Sequence, residues 1–221
     1  MRILTVKRSI AAAVFGLAFV TTSASAATVN VTFQGSDPFG TPDHSRSVNI
    51  TSPTYTGAAR AGAFRLVGDG GFGNFVGFCV DLANYMTSGN SYATSASSAH
   101  GAAVDNNIDR LFTSSYAGVD TATEAAAFQL ALWEIISDTG STLSLTGGSF
   151  LATASAGVIN TANIYLAALS GASTGGYTMT FLNSRSSQDL VTVSPVPVPA
   201  ALGMLGIGLV SLFGVRRRKK A

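Results

Sequence analysis

The stretch FVGFCVDL, residues 75–82, carries the single cysteine of the chain, Cys79, and its reading decides the fold. Apolar and aromatic residues dominate it, no proline interrupts it, and a glycine-rich run, GDGGFGN at 68–74, precedes it. That composition predicts a strand entered through a hairpin-type turn. Alternation then places Val76, Phe78, Val80 and Leu82 on one face, the expected core face. Phe75, Gly77, Cys79 and Asp81 fall on the other. A cysteine kept only for packing would be expected among the valines, so the second face needs a cover of its own.

Working outward, residues 63–67 supply the other arm of the hairpin. Residues 28–34, 47–51, 177–182 and 189–193 also read as strands. The periodicity changes between these groups. Residues 104–112, 122–137 and 150–169 read as helices. The middle one is the clearest: Thr121 and Glu124 form a capping-box pattern at its start, and Phe128, Leu132 and Ile135 recur at helical spacing. The expected class is α+β, a β-sandwich or barrel with an inserted helical lobe. Asp69 among its glycines reads as a turn residue rather than a calcium ligand, and no metal site or cofactor is expected.

Both ends carry targeting signals. Arg2, Lys7 and Arg8 precede a short apolar run, residues 10–20, and Ala24-Ser25-Ala26 is a small-residue cleavage site. Residues 1–26 therefore read as a secretory signal peptide. At the other end Pro195, Pro197 and Pro199 impose an extended lead-in. The apolar run at 200–215 would be about 24 Å long as a helix. Arg216, Arg217, Arg218, Lys219 and Lys220 close it as a basic stop that stays cytoplasmic. The expected fold thus includes a C-terminal transmembrane sorting helix.

The order of motif, span and basic tail resembles the VPLPA variant of the PEP-CTERM sorting signal of Gram-negative bacteria. The motif is Val196-Pro197-Val198-Pro199-Ala200, with Val198 where the family name has Leu. The resemblance implies an exosortase-type processing enzyme as a partner. It also implies transient residence in the inner membrane, then delivery to the cell surface or extracellular matrix. The other reading of the tail is an ordinary membrane anchor. Three segments follow: 1–26 signal peptide, 27–193 one domain, 194–221 sorting signal.

Removing the ends reverses the charge. Eight of the 13 Lys and Arg residues lie in them, and the five that remain in 27–193 are all Arg. All 11 acids lie in that body, so it carries about six net negative charges and no lysine. The basic balance belongs to the targeting segments, and no nucleic-acid partner is expected.

An exported chain with one cysteine has no thiol to pair with it. It could be inert and buried. It could be a Cys-His nucleophile with His44 or His100, although neither histidine has a catalytic context and the neighbouring Asp81 disfavours a thiolate. Or it could have an acyl partner. Helix 122–137 holds one uncharged polar side chain in apolar company, Gln129, flanked at helical spacing by Ala125, Ala126, Leu132 and Trp133. The alanines would let another backbone approach closely. An amide buried without partners costs roughly 1–3 kcal/mol, so it needs a reason to be there.

FCVDL followed some fifty residues later by FQLALWEI resembles the thioester domains of bacterial surface adhesins. That family has an aromatic-Cys motif on a strand and a Gln-x-Ala-Ile-Trp motif on a helix. Phe78-Cys79 and Gln129 to Trp133 match position by position, with Leu132 for Ile, over about residues 63–137. Phe128 departs from the pattern, since many members have Thr there. The resemblance implies an internal thioester between Cys79 and Gln129, used once to bond a ligand amine or hydroxyl in adhesion or in the matrix. In that setting Asp81 would orient or deprotonate the incoming nucleophile and Trp133 would shield the bond from water. The missing lysines fit, because a reactive acyl group is safest in a body with no ε-amine. A passive surface or matrix protein sorted by the same tail is the competing expectation, and a Cys-His hydrolase is a third.

Overall fold

A computed structural model describes residues 27–34, 45–138, 140 and 142–196. Residues 1–26, read above as a signal peptide, His44, and residues 197–221, which hold most of the expected sorting signal, lie outside the described residues. Among those described, no helix is long and apolar enough to cross a membrane.

Six strands close an antiparallel barrel. They are β1 (Thr28–Phe33), β4 (Phe64–Gly68), β5 (Gly73–Cys79), β6 (Asn90–Ser95), β8 (Tyr177–Asn183) and β9 (Leu190–Pro195), in the order β1-β4-β5-β9-β8-β6. Their inward side chains, Val29, Val31, Leu66, Tyr92, Leu182 and Leu190, form a compact buried core. A second sheet, of order β3-β2-β7, joins β2 (Ser45–Thr51), β3 (Thr56–Gly62) and β7 (Leu151–Thr153). Between β6 and β8 the chain builds α1 (Ala102–Ser115), α2 (Ala122–Ser137) and α3 (Ala156–Ala168). The expected α+β class holds in its barrel form, with the helices inserted between strands.

Helix α2 is the axle. It packs against α1, α3, β2, β3 and β5. A helix on the surface would show one apolar stripe, whereas α2 buries nearly every residue from Ala122 to Ile135. Its alanines make this possible: Ala125, Ala126, Ala127 and Ala131 have no exposed surface, so neighbouring backbones come close on several sides.

Strand β5 differs from its expected form in two ways. It ends at Cys79, so Val80, Asp81 and Leu82 belong to the loop that follows. It is also buried on both faces: Gly77, Phe78, Cys79 and Val80 are all covered. The barrel interior occupies one side, where a Cβ on Gly77 would stand 3.0 Å from the Leu66 side chain. The helical layer occupies the other, so each face is a core face. Phe78 meets Phe112, Tyr116 and Phe128 there, with ring centroids 4.7–6.0 Å apart.

Three strands escaped the sequence pattern. β3 is TGAARAG, made of residues with weak strand preference, and it is held by pairing along all of β2. β6 has one large buried side chain, Tyr92, among polar residues. β7 lies inside the expected helix 150–169, which instead starts at Ala156 after three residues paired with β2.

Candidate functional site

The site forms where β4 stops. Phe64 pairs with Gly77, and β4 goes no further along β5. On the opposite side β9 continues, with Cys79 facing Leu190 and the Val80 N–H donating to Asp189 O at 2.9 Å. Antiparallel pairs alternate between bonded and non-bonded, so the Cys79 N–H and C=O point away from β9, toward the vacated β4 side. Two buried backbone groups there need partners.

Gln129 supplies both. The Cys79 N–H donates to Gln129 Oε1 at 2.9 Å, and Gln129 Nε2 donates to Cys79 O at 2.8 Å. The carboxamide thus extends the sheet as a missing strand residue would. Both residues are 1% exposed. Cys79 and Gln129, 50 positions apart, are brought into direct contact. The same backbone N–H that anchors the carboxamide also polarises its carbonyl, as an oxyanion donor does.

The thiol lies against the following loop. Cys79 Sγ donates to Asp81 O at 2.8 Å, and Asp81 N–H approaches Sγ at 3.3 Å. Burial pushes the thiol up to about 12. The Trp133 indole and the Asp81 N–H work against that rise, while the Asp81 and Asp189 carboxylates add to it.

Phe78 anchors the strand in the aromatic cluster. Phe128, the departure from the adhesin pattern, belongs to that cluster, 4.7 Å from Phe78 and 4.9 Å from Phe112. The ring at 128 fills the same layer as Phe78, which accounts for an aromatic residue there.

Asp81 is placed differently from expectation. It lies beyond the strand, and its carboxylate caps the loop: Oδ1 accepts from Ala83 N–H at 2.7 Å and Oδ2 from Asn84 Nδ2 at 2.7 Å. Its carbonyl is the part that touches the thiol. Gln188 Nε2 steadies that carbonyl at 3.0 Å and also donates to Asn84 O at 3.1 Å. Gln188 and Asp189 were not singled out from sequence. Only their pairing opposite Val80 and Cys79 brings them near, and no local pattern announces it.

Trp133, one turn beyond Gln129, is 3% exposed, and its buried Nε1 has no hydrogen-bond partner. It borders a cavity of about 410 Å³, also lined by Tyr55, Ala58, Phe64, Tyr85 and Met86. Tyr85 stands at 76% exposure on its rim. A second cavity of about 410 Å³ lies along the other side of the loop, with His100, Asp81, Asp189 and Ile136 in its wall. His100 Nε2 is 3.0 Å from Val80 O. Burial raises the Asp189 carboxyl, and the nearby Asp81 charge adds to this. Among the described residues no three His, Cys, Asp or Glu side chains gather as metal ligands would. Val196 is the last described residue of the tail motif, exposed beside Gly176.

The fold and site define an α+β domain: a closed six-stranded barrel under a helical layer, with a buried Cys–Gln contact where the two meet. No protein-family model matches the chain, and no curated protein does. Among solved structures, the N-terminal domain of the Streptococcus pyogenes pilus tip adhesin Cpa is similar. It is 15% identical, over 75% of this chain and 99% of that chain, with a TM-score of 0.40. A likeness at that level identifies neither family nor activity.

Proposed function

We propose that the protein is exported to the cell surface or matrix, where it carries an internal thioester between Cys79 and Gln129. It bonds once, covalently, to a ligand bearing an amine or a hydroxyl. The observation that carries this is the double hydrogen bond between the Gln129 carboxamide and the Cys79 backbone. It holds the Gln129 carboxamide against the Cys79 backbone in a dry niche. Amides are poor acyl donors, and close orientation supplies the drive; aligned intramolecular pairs reach effective molarities of ~10⁵–10⁸ M.

In this reading the sulfur bonds to the Gln129 carbonyl carbon, the C–N bond breaks, and ammonia leaves with the thiol proton. A partner amine or hydroxyl later bonds to the same carbon, the C–S bond breaks, and the proton passes to sulfur. The Cys79 N–H polarises the carbonyl in both steps. In this reading the acceptor approaches from the cavity that Trp133 borders. The chain acts as an acyl donor consumed on use, not as a turnover enzyme. Export, exosortase-type processing and passage through the inner membrane rest on the two sequence ends.

A second reading has its own support. Gln129 completes a sheet edge, and that duty alone explains a buried glutamine in a passive surface or matrix protein. Intact mass of the secreted chain separates the two. The thioester form is lighter by one ammonia and gains methylamine on incubation. An unchanged mass that methylamine leaves alone establishes the passive protein.

A further inference from the structure

Resting on the thioester reading, we propose that the Trp133 indole N–H carries the sulfur's negative charge during the chemistry. It stabilises the Cys79 thiolate as the sulfur attacks Gln129, and again as it departs when the acceptor takes the acyl group.

The starting point is an anomaly. Trp133 is 3% exposed, and its Nε1 completes no hydrogen bond of ordinary geometry, although it lies close enough to the Cys79 sulfur to ease ionisation of the thiol. Leaving a buried donor without a partner is costly, and native structures contain few such groups. A phenylalanine would fill the same space without that cost. The indole is placed by helical geometry: four positions after Gln129, it stacks over the residue whose carboxamide holds Cys79. It is the polar side chain that most eases ionisation of the thiol.

The state of the sulfur explains why the donor is idle. In the neutral thiol the S–H points to Asp81 O, and sulfur is a weak acceptor. A thiolate accepts far more strongly, because bonds to ionised partners are about twice as strong as neutral ones. The need is severe. Burial holds the thiol well above its ordinary value, so the thiolate is scarce at neutral pH. The negative charges of Asp81 and Asp189 nearby oppose the thiolate, and the His100 ring is turned to Val80 O. The donors left at the sulfur are the Asp81 N–H and this indole.

The bonds balance at each step. In formation the S–C bond is made, the C–N bond breaks, and the thiol proton leaves on ammonia. In transfer the acceptor's N–C or O–C bond is made, the C–S bond breaks, and the acceptor's proton ends on sulfur. The indole keeps its own proton and gives and takes one hydrogen bond.

The test replaces Trp133 in the full-length chain with benzothienylalanine, which keeps the bicyclic shape and lacks the N–H, alongside Trp133→Phe. Methylamine incorporation is followed by intact mass, with melting temperature as the folding control. The isosteric variant is expected to melt with the wild type and to take up methylamine 10- to 100-fold more slowly. An equal rate in a variant that melts normally overturns the proposal. If the wild type is not lighter by one ammonia, the thioester reading fails separately. The free thiol then decides: at a fixed pH of 9 its iodoacetamide labelling in the folded chain should be at least threefold slower without the indole N–H, and an equal rate overturns the proposal.

Discussion

Helix α2 buries two polar side chains little more than one turn apart, and they are treated in opposite ways. Gln129 is neutral, and each end of its carboxamide meets a backbone partner on Cys79. Glu134 has no exposed surface, yet only Oε1 is bonded, to Ser144 N–H at 2.7 Å; Oε2 has no partner. Burial pushes the Glu134 carboxyl up to about 7, Ser144 N–H restrains it, and the charge on Asp138 raises it further. A neutral group with matched partners can be buried at little cost, whereas a half-paired ionisable one makes stability depend on pH. The same helix thus holds a fixed polar contact at its centre and a titratable one near its end. The acyl chemistry proposed for Gln129 falls at the rigid centre.

The largest effect expected from breaking this contrast is at Gln129. Gln129→Leu keeps the bulk and strands the Cys79 N–H and C=O in a dry site. Two orphaned backbone groups predict a loss of about 2–5 kcal/mol, read as a lower urea midpoint with unchanged slope. A loss under about 1 kcal/mol would mean that the sheet edge finds other partners and that the carboxamide is not structural.

At Glu134 the expected change has the opposite sign. Its folded-state value lies above the ordinary carboxylate value of 4.5, so the native protein holds this proton more tightly than the unfolded chain does. That contribution is complete below about pH 4.5 and is lost as pH rises through about 7. Glu134→Gln preserves an acceptor for Ser144 and removes the titration. The variant should gain about 1–3 kcal/mol at pH 8 and almost nothing at pH 4, measured by urea unfolding at both. A gain independent of pH would place the effect in packing instead of charge.

The contrast was only half visible in the sequence. Gln129 stood out because an amide among Ala, Leu and Trp at helical spacing has no local excuse, and Cys79 because it lay opposite the valines. Helix α2 was legible from its capping box and its long apolar run, and the hairpin of β4 and β5 from the glycine-rich turn between two apolar runs. Glu134 looked like an ordinary helix carboxylate, and its burial comes from the loop after α2, whose contact at Ser144 is ten residues away. The placing of Asp81 differed because the strand was carried three residues too far, through Leu82, whereas it ends at Cys79 and leaves Asp81 in the loop. β3 and β6 were invisible because their pairing, not their composition, makes them strands. What pattern cannot supply is the partner across the sheet, and Gln188, Asp189 and the vacated β4 edge all depend on it.

The smallest effect tests whether α2 is positioned by its core contacts or by its own start. Thr121 Oγ1 accepts from Glu124 N–H at 3.3 Å, and Glu124 Oε2 accepts from Thr121 N–H at 3.0 Å, the capping box read from sequence. This pair sits in water, so Thr121→Ala should cost only about 1 kcal/mol. In a domain of this size that lowers the melting temperature by roughly 2–4 °C. Methylamine uptake should be unchanged, because Gln129 lies two turns away and is held by Cys79 itself. A slower uptake with so small a loss of stability would show that the helix start, and not the carboxamide contact, sets the alignment of the two reacting groups.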